Sequence, residues 1–290
     1  MSTTSNHALS NTTDHFFKGS GQFTDPRLAV PPAATHKIRA CLVNVYPTAT
    51  ATDRIDTQLL YGEQVTVTGS EEGRYHIISH TDGYQGWIQA NGTLSPIEKA
   101  CTQPTHFLNI PLSHLYKAPD LKTADPIPLP MGAQISITED AQVKGFLKTT
   151  ENLYVYAAHC QPLAEIGDVN HSPLDWAKKF LGVPYLWGGR SAMGIDCSAL
   201  MQIAFAACGI PLHRDSDLQF KYHGQTVQTP QAGDLAFFPG HVGLMVDADH
   251  LLHANATHMK VTTDPLQEVI SWLENEGQTT PFLGFRRIAL

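Results

Sequence analysis

Ten consecutive residues of this chain return in altered form seventy positions later, and that duplication limits the architectures open to it. Leu59 to Thr68 aligns without a gap on Leu129 to Thr138; four positions are identical, and Val65 and Val67 are replaced by Ile135 and Ile137. Both copies alternate Val or Ile with polar residues after a glycine turn, the period of a strand with one buried face. The first copy runs on through Tyr75 to Ile78, a turn at Asp82-Gly83, and Gly86-Trp87-Ile88; the second runs on through Gly145 to Lys148 and Leu153 to Tyr156. Each copy therefore predicts a small antiparallel barrel, over residues 35–98 and 99–165. The spacing is too long for a stacked solenoid repeat. The second copy has no residue matching Trp87 and is the more degenerate of the two.

The flanking regions read differently. Residues 1–34 are polar and then proline-rich (Pro26, Pro31, Pro32), which predicts an irregular leader. Gln161-Pro162 closes the second barrel, and a third domain is expected over residues 166–290. There Ser172-Pro173-Leu174-Asp175 has the order of a helix start: a hydroxyl cap, proline in the first turn, then a carboxylate. Gly182 and Pro184 end that helix, and the glycine-rich turn Trp187 to Arg190 follows. A second helix is predicted from Cys197 to Cys208, stopped by Gly209. It is apolar nearly all round, so it should be buried. Three strand-like runs come next: Asp234 to Phe238, Val242 to Val246 and Leu251 to Ala254. A buried helix on an antiparallel sheet is an α+β domain.

Charge and cysteine usage narrow the function classes. Nineteen basic against 27 acidic residues give a net charge of -8, which argues against nucleic acid and anionic membrane as partners. No apolar run reaches the roughly 18 residues of a membrane span, and the first residues lack the basic and apolar regions of a signal peptide. The five cysteines (Cys41, Cys101, Cys160, Cys197, Cys208) are odd in number and scattered, which suits a reducing compartment. The expectation is a cytoplasmic protein with no obligate protein partner evident.

One cysteine stands where chemistry is favoured. Cys197 lies between Asp196 and the apolar helix, at a helix N-terminus where unsatisfied N–H groups favour a thiolate. On position alone two readings are open, a buried core cysteine or a nucleophile. Cys208, on a similar face of the same helix, is too distant to pair with it and reads as core. A nucleophile needs a base. His241 opens one strand candidate and His253 ends the next, so a hairpin would bring the two imidazoles together, one as base and one fixing its tautomer. A zinc site from Cys197, His241 and His253 lacks a fourth ligand and short spacing, so no metal and no cofactor is expected.

Five segments carry a family resemblance: Tyr185-Leu186-Trp187-Gly188-Gly189, Gly194 to Leu200, Gly233 to Phe238, His241-Val242-Gly243 and His253-Ala254. In this order they resemble the NlpC/P60 peptidases over about residues 170–290, and the first barrel, with Tyr61-Gly62-Glu63 and Asp82 to Trp87, resembles bacterial SH3-like domains. The resemblance implies an α+β fold in which a papain-like NlpC/P60 catalytic domain is preceded by two small all-β SH3-like barrels. It implies Cys197 as nucleophile, His241 as base and His253 as orienting residue, acting on the γ-D-glutamyl to diamino-acid bond of bacterial wall peptides. One branch of the family, with SH3-like domains ahead of the catalytic domain, acts on small murein peptides with a free N-terminal L-Ala. Likeness to it implies that Tyr185, Asp196, Ser198 and Ser216 line the substrate pocket. A buried ammonium needs carboxylates, so Asp196 and a first-barrel acid, Asp56 or Glu63, are expected to receive it, with the Tyr84 hydroxyl beside them. Arg190 and Arg214 are candidates for the D-Glu α-carboxylate. The competing expectation is a secreted wall hydrolase that its SH3-like domains tether to peptidoglycan.

Overall fold

The computed structural model describes residues 25–97, 103–166 and 171–289. Most of the leader expected over 1–34 therefore lies outside the described residues, as does Cys101. The chain divides into two compact units, residues 1–166 and 167–290.

The first unit holds the duplication. Its first half has strands β1 (His36–Ile38), β2 (Leu42–Val45), β3 (Thr57–Leu60), β4 (Gln64–Glu71), β5 (Arg74–Ser79), β6 (Gln85–Gln89) and β7 (Leu94–Pro96). The second half has β8 (His106–Leu108), β9 (Leu112–Tyr116), β10 (Ile127–Pro130), β11 (Ile137–Val143), β12 (Phe146–Thr149), β13 (Tyr154–Tyr156) and β14 (Cys160–Pro162). The pairings repeat one for one. β2–β3, β4–β5, β5–β6 and β1–β7 correspond to β9–β10, β11–β12, β12–β13 and β8–β14, all antiparallel. The contact of His36 with Val65 returns as His106 with Ile135.

This equivalence reaches further than the ten residues from which it was read. Thr35-His36 and Thr105-His106 stand at the same seventy-residue spacing. In both copies the threonine hydroxyl accepts a backbone N–H across the barrel, from Val67 and from Ile137, at 2.9 Å. The alternating residues fill two cores, one built from Ile38, Val43, Val45, Leu59, Val65, Ile77 and Ile88, the other around Leu108, Leu115, Leu129, Ile135 and Val155. The missing tryptophan did not cost the second copy its barrel, because its aliphatic inward face is intact.

The copies also join through the repeated segment itself. Tyr61 packs into the second core, and its carbonyl accepts the Gln134 N–H at 2.9 Å. Gly62 has φ of +85°, and a Cβ there would sit 1.8 Å from the Gln134 carbonyl oxygen. Only glycine meets both demands. Around this joint the Glu151 carboxylate takes Lys37 at 2.9 Å, together with Arg39 and the Tyr61 hydroxyl. Burial alone would push this carboxyl up, but the Tyr61 hydroxyl and the two cations hold it below its ordinary value.

In the second unit α1 (Pro173–Lys178) starts as predicted. Ser172 and Asp175 form a reciprocal capping box with Pro173 in the first turn. β15 (Arg190–Ser191) and β16 (Gly194–Ile195) form a small hairpin before α2 (Cys197–Ala206). Nine residues of α2, Cys197 to Phe205, are buried. The helix stops two residues short of the predicted end. Cys208 N–H bonds back only three residues, to Phe205, in a tightened last turn before Gly209 at φ +79°. Cys208 is half-buried, so its reading as a core residue is corrected: the helix has already ended there.

The sheet has six antiparallel strands in the order β17-β22-β18-β19-β20-β21. They are β17 (Gln225–Val227), β18 (Leu235–Phe238), β19 (His241–Met245), β20 (His250–Asn255), β21 (Lys260–Pro265) and β22 (Gly284–Arg287). α2 packs on β19 and β20. α3 (Ser216–Tyr222) precedes the sheet, and α4 (Leu266–Asn275) covers the face that carries Ala236, Phe238, Met245 and Leu251. The three strand-like runs became β18, β19 and β20; β21 and α4 were not foreseen. Among the described residues no helix is long and apolar enough to cross a membrane.

Gly62→Ala is expected to destabilise the first unit by about 2 kcal/mol or more, from overpacking and the positive φ together. Thermal unfolding followed by circular dichroism measures it.

Candidate active site

The start of α2 is fixed by one buried carboxylate. Asp196 caps the helix through the Ala199 N–H at 2.8 Å and draws in the glycine-rich turn through the Gly188 N–H at 2.9 Å. Arg214 closes on it as a fork, at 3.0 Å to Oδ1 and 2.5 Å to Oδ2. Ser198 donates to the same carboxylate at 3.3 Å and accepts from Arg214 at 2.8 Å. Arg214, whose side chain is 1% exposed, therefore faces Asp196. This corrects the expectation that it is offered to a substrate carboxylate, because a buried guanidinium takes the nearest anion.

Cys197 is thus held at the helix mouth. Its sulfur receives backbone N–H groups from Val242 on β19 and from Ser198 on α2. The thiol therefore lies against the strand residue next to His241. Burial, with the Asp196 charge behind it, pushes the thiol up to about 12; the two N–H groups and Arg214 oppose the rise without cancelling it. The Tyr185 phenol is also pushed up, first by burial and then by the Cys197 and Asp196 charges beside it.

The imidazoles meet as the hairpin reading required, His241 Nε2 lying 2.7 Å from His253 Nδ1. Burial first, and then His253, lower His241 to about 3. Gly243 makes room for the second ring. A Cβ there would come 2.4 Å from Leu251 Cδ1 and 3.2 Å from His253 Cβ, which gives the His241-Val242-Gly243 motif a steric reason. His253 is fully buried, stacked on Trp272 of α4, with its Nε2 3.0 Å from Asp264 Oδ2 on β21. Asp264 was missed in the sequence. The available signal was the strand alternation of Lys260 to Pro265, which puts a polar residue beside β20.

Of the other expected site residues, Ser216 opens α3 and is buried. Arg190, on β15, is also buried. Asp56, Glu63 and Tyr84 belong to the first unit. Glu63 is 1% exposed and links two turns, accepting from Leu60 N–H at 2.8 Å in its own and from Thr81 Oγ1 at 3.0 Å in the turn after β5. Tyr84 is buried, and Asp56 is half-exposed. Cys41, Cys160, Cys197 and Cys208 are free thiols.

A thiol at a helix N-terminus, lying against a strand whose histidine meets a second histidine on the next strand, has the parts of a cysteine peptidase. Comparison with known proteins gives the same class. The NlpC/P60 family profile matches residues 182–276, and that of the bacterial dipeptidyl-peptidase Sh3 domain matches residues 45–92. The γ-D-glutamyl-L-lysine dipeptidyl-peptidase of Bacillus subtilis (strain 168) is 30% identical over 236 residues, 74% of this chain and 77% of that protein. Dipeptidyl-peptidase 6 of Lysinibacillus sphaericus is 26% identical over 247 residues, 79% of this chain and 90% of its own length. An NlpC/P60 family protein from Bacillus cereus ATCC 10987, known from its crystal structure, shares the fold with a TM-score of 0.72 at 19% identity, over 88% of this chain and 99% of that one. The chain belongs to the NlpC/P60 family of cysteine peptidases, with a papain-like α+β core preceded by SH3-like barrels.

Asp196→Ala is expected to cost about 3 kcal/mol or more, because Arg214 is left buried without its anion; urea unfolding reads the loss. A second expectation concerns pH. His241 and His223 are lowered to about 3 and about 4, the second by burial and then by His213. Above roughly pH 6.5 both states of each ring are neutral and the shift has no effect. As pH falls below that, the unfolded chain binds protons that the folded one refuses. Stability should then drop by up to about 1.4 kcal/mol per unit for each histidine. Asp264, lowered to about 2 chiefly by its bond from His253, adds a loss only below about pH 4. Unfolding midpoints between pH 7 and 4 measure the slope.

Proposed function

We propose that this chain hydrolyses the γ-D-glutamyl to L-diamino-acid bond of short wall peptides with a free N-terminal L-Ala, and so releases L-Ala-γ-D-Glu. The observation that carries this reading is the Cys197 sulfur held by the Val242 N–H, next to an imidazole whose far nitrogen is engaged by His253. The relatives aligned over three quarters of the chain, named as dipeptidyl-peptidases, support the substrate class.

With Nε2 of His241 occupied, Nδ1 is the nitrogen that serves the thiol. It removes the Cys197 proton as the sulfur attacks the γ-carbonyl. The tetrahedral oxyanion is met by the Cys197 backbone N–H and the Tyr185 hydroxyl. The diamino acid leaves with the proton from His241, and water then hydrolyses the thioester by the same route.

Within the catalytic domain the substrate ammonium falls to Asp196, Ser198 and Ser216. In this reading the first barrel shapes specificity, and the enzyme works in the cytoplasm on imported murein peptides, with no nucleic acid, membrane or obligate protein partner. Incubation with L-Ala-γ-D-Glu-L-Lys and its N-acetyl form, with products read by mass spectrometry, tests it. The free-amine peptide should be cut at least about tenfold faster, the worth of one lost charged contact. Equal rates reject the amine-directed reading, and cleavage of insoluble sacculi would favour the tethered wall hydrolase. Cys197→Ala should abolish turnover while the protein stays folded.

A further inference from the structure

An orienting histidine is ambiguous in a way that an orienting carboxylate is not. His253 can accept the proton of His241 Nε2 through Nδ1, or donate to it, and the two choices have opposite consequences. If His253 accepts, His241 carries its proton on Nε2 and Nδ1 is a base. If His253 donates, His241 carries its proton on Nδ1 and cannot take one from a thiol.

We propose that Asp264 is a positioning residue that resolves this ambiguity, making a relay Asp264–His253–His241 that keeps the proton-accepting nitrogen of His241 toward Cys197. The inference rests on the cysteine-peptidase reading of the site. Asp264 Oδ2 lies 3.0 Å from His253 Nε2, and a carboxylate only accepts. His253 therefore carries its proton on Nε2, and its Nδ1, 2.7 Å from His241 Nε2, is left to accept. One proton per ring then runs in the same sense from His241 toward Asp264.

A second neighbour pulls the other way. Asn255 Nδ2 stands 3.2 Å from the same His253 nitrogen. The amide cannot turn round freely, because its Oδ1 accepts the His258 N–H at 2.8 Å and its Nδ2 donates to Thr262 Oγ1 at 2.7 Å. It thus presents a donor, which favours the unwanted tautomer. The carboxylate contact is shorter and charge-assisted, and such bonds are roughly twice as strong as neutral ones. Thr262 holds that carboxylate in place by donating to Oδ2 at 2.5 Å, and His258 Nε2 approaches Oδ1 at 3.3 Å. The bond from His253 is the largest influence holding the carboxyl ionised.

The two neighbours predict a graded result. Asp264→Ala leaves His253 Nε2 beside the Asn255 donor, so the tautomer should invert. Asp264→Asn can still present a carbonyl oxygen and should retain part of the function. Long-range 15N–1H NMR of histidine-labelled protein reads the ring protons directly. In the unaltered enzyme Nδ1 of both His241 and His253 should be unprotonated; a proton on His253 Nδ1 there overturns the proposal, whatever the variants do. In Asp264→Ala, kcat should fall about 10- to 100-fold with KM within about twofold, and alkylation of Cys197 by iodoacetamide should slow by about tenfold or more, with Asp264→Asn between the two. An Ala variant with an unchanged His253 tautomer and kcat within about twofold would also overturn it. The ring spectra and the alkylation rate need no substrate, so absent peptide cleavage would count against the substrate reading and leave this test intact.

Discussion

The catalytic half of the molecule depends on a buried carboxylate that is never asked to react. Asp196 binds the glycine-rich turn at Gly188, the first turn of α2 at Ala199 and the guanidinium of Arg214. Three separate stretches of chain are thereby tied to one anion. A helix start left to itself frays; one whose cap is paired with a buried cation is held in a single place. Cys197 follows directly, so the position of its sulfur is inherited from this pair. The same pairing limits chemistry nearby. Burial raises the Cys197 thiol, Asp196 adds to the rise, and Arg214 opposes it.

The imidazole pair is organised by a different principle. His241 and His253 sit on neighbouring antiparallel strands, and Gly243 allows the rings to approach. Rigidity comes from packing, with His253 closed in against Trp272, while direction comes from charge at the far end of the chain of rings. Burial lowers His241.

The first unit shows how a duplicated barrel survives divergence. Its two halves keep the same strand pairings and the same Thr–backbone bond, while residues that do not face the cores have drifted. Their contact surface was made from the repeat itself. Tyr61 packs into the second core, and Gly62 lies against the Gln134 carbonyl.

What the sequence alone determined is local and periodic: two barrels from period-2 alternation, a capped α1, an α2 that begins at Cys197, and a thiol with two candidate imidazoles. These patterns are legible because burial imposes them on residues close in the chain. The partners of Asp196 and His253 were decided only by tertiary structure. Arg214 lies eighteen residues beyond Asp196, and Asp264 eleven beyond His253; the alternation of Lys260 to Pro265 marks a strand but not which of its residues meets a histidine. A charge deep in a protein is neutralised by whichever opposite charge the fold delivers, and one-dimensional spacing carries no record of that delivery. For the same reason the sequence could name Arg214 as a candidate for a substrate carboxylate, and only the folded chain showed it closed on Asp196.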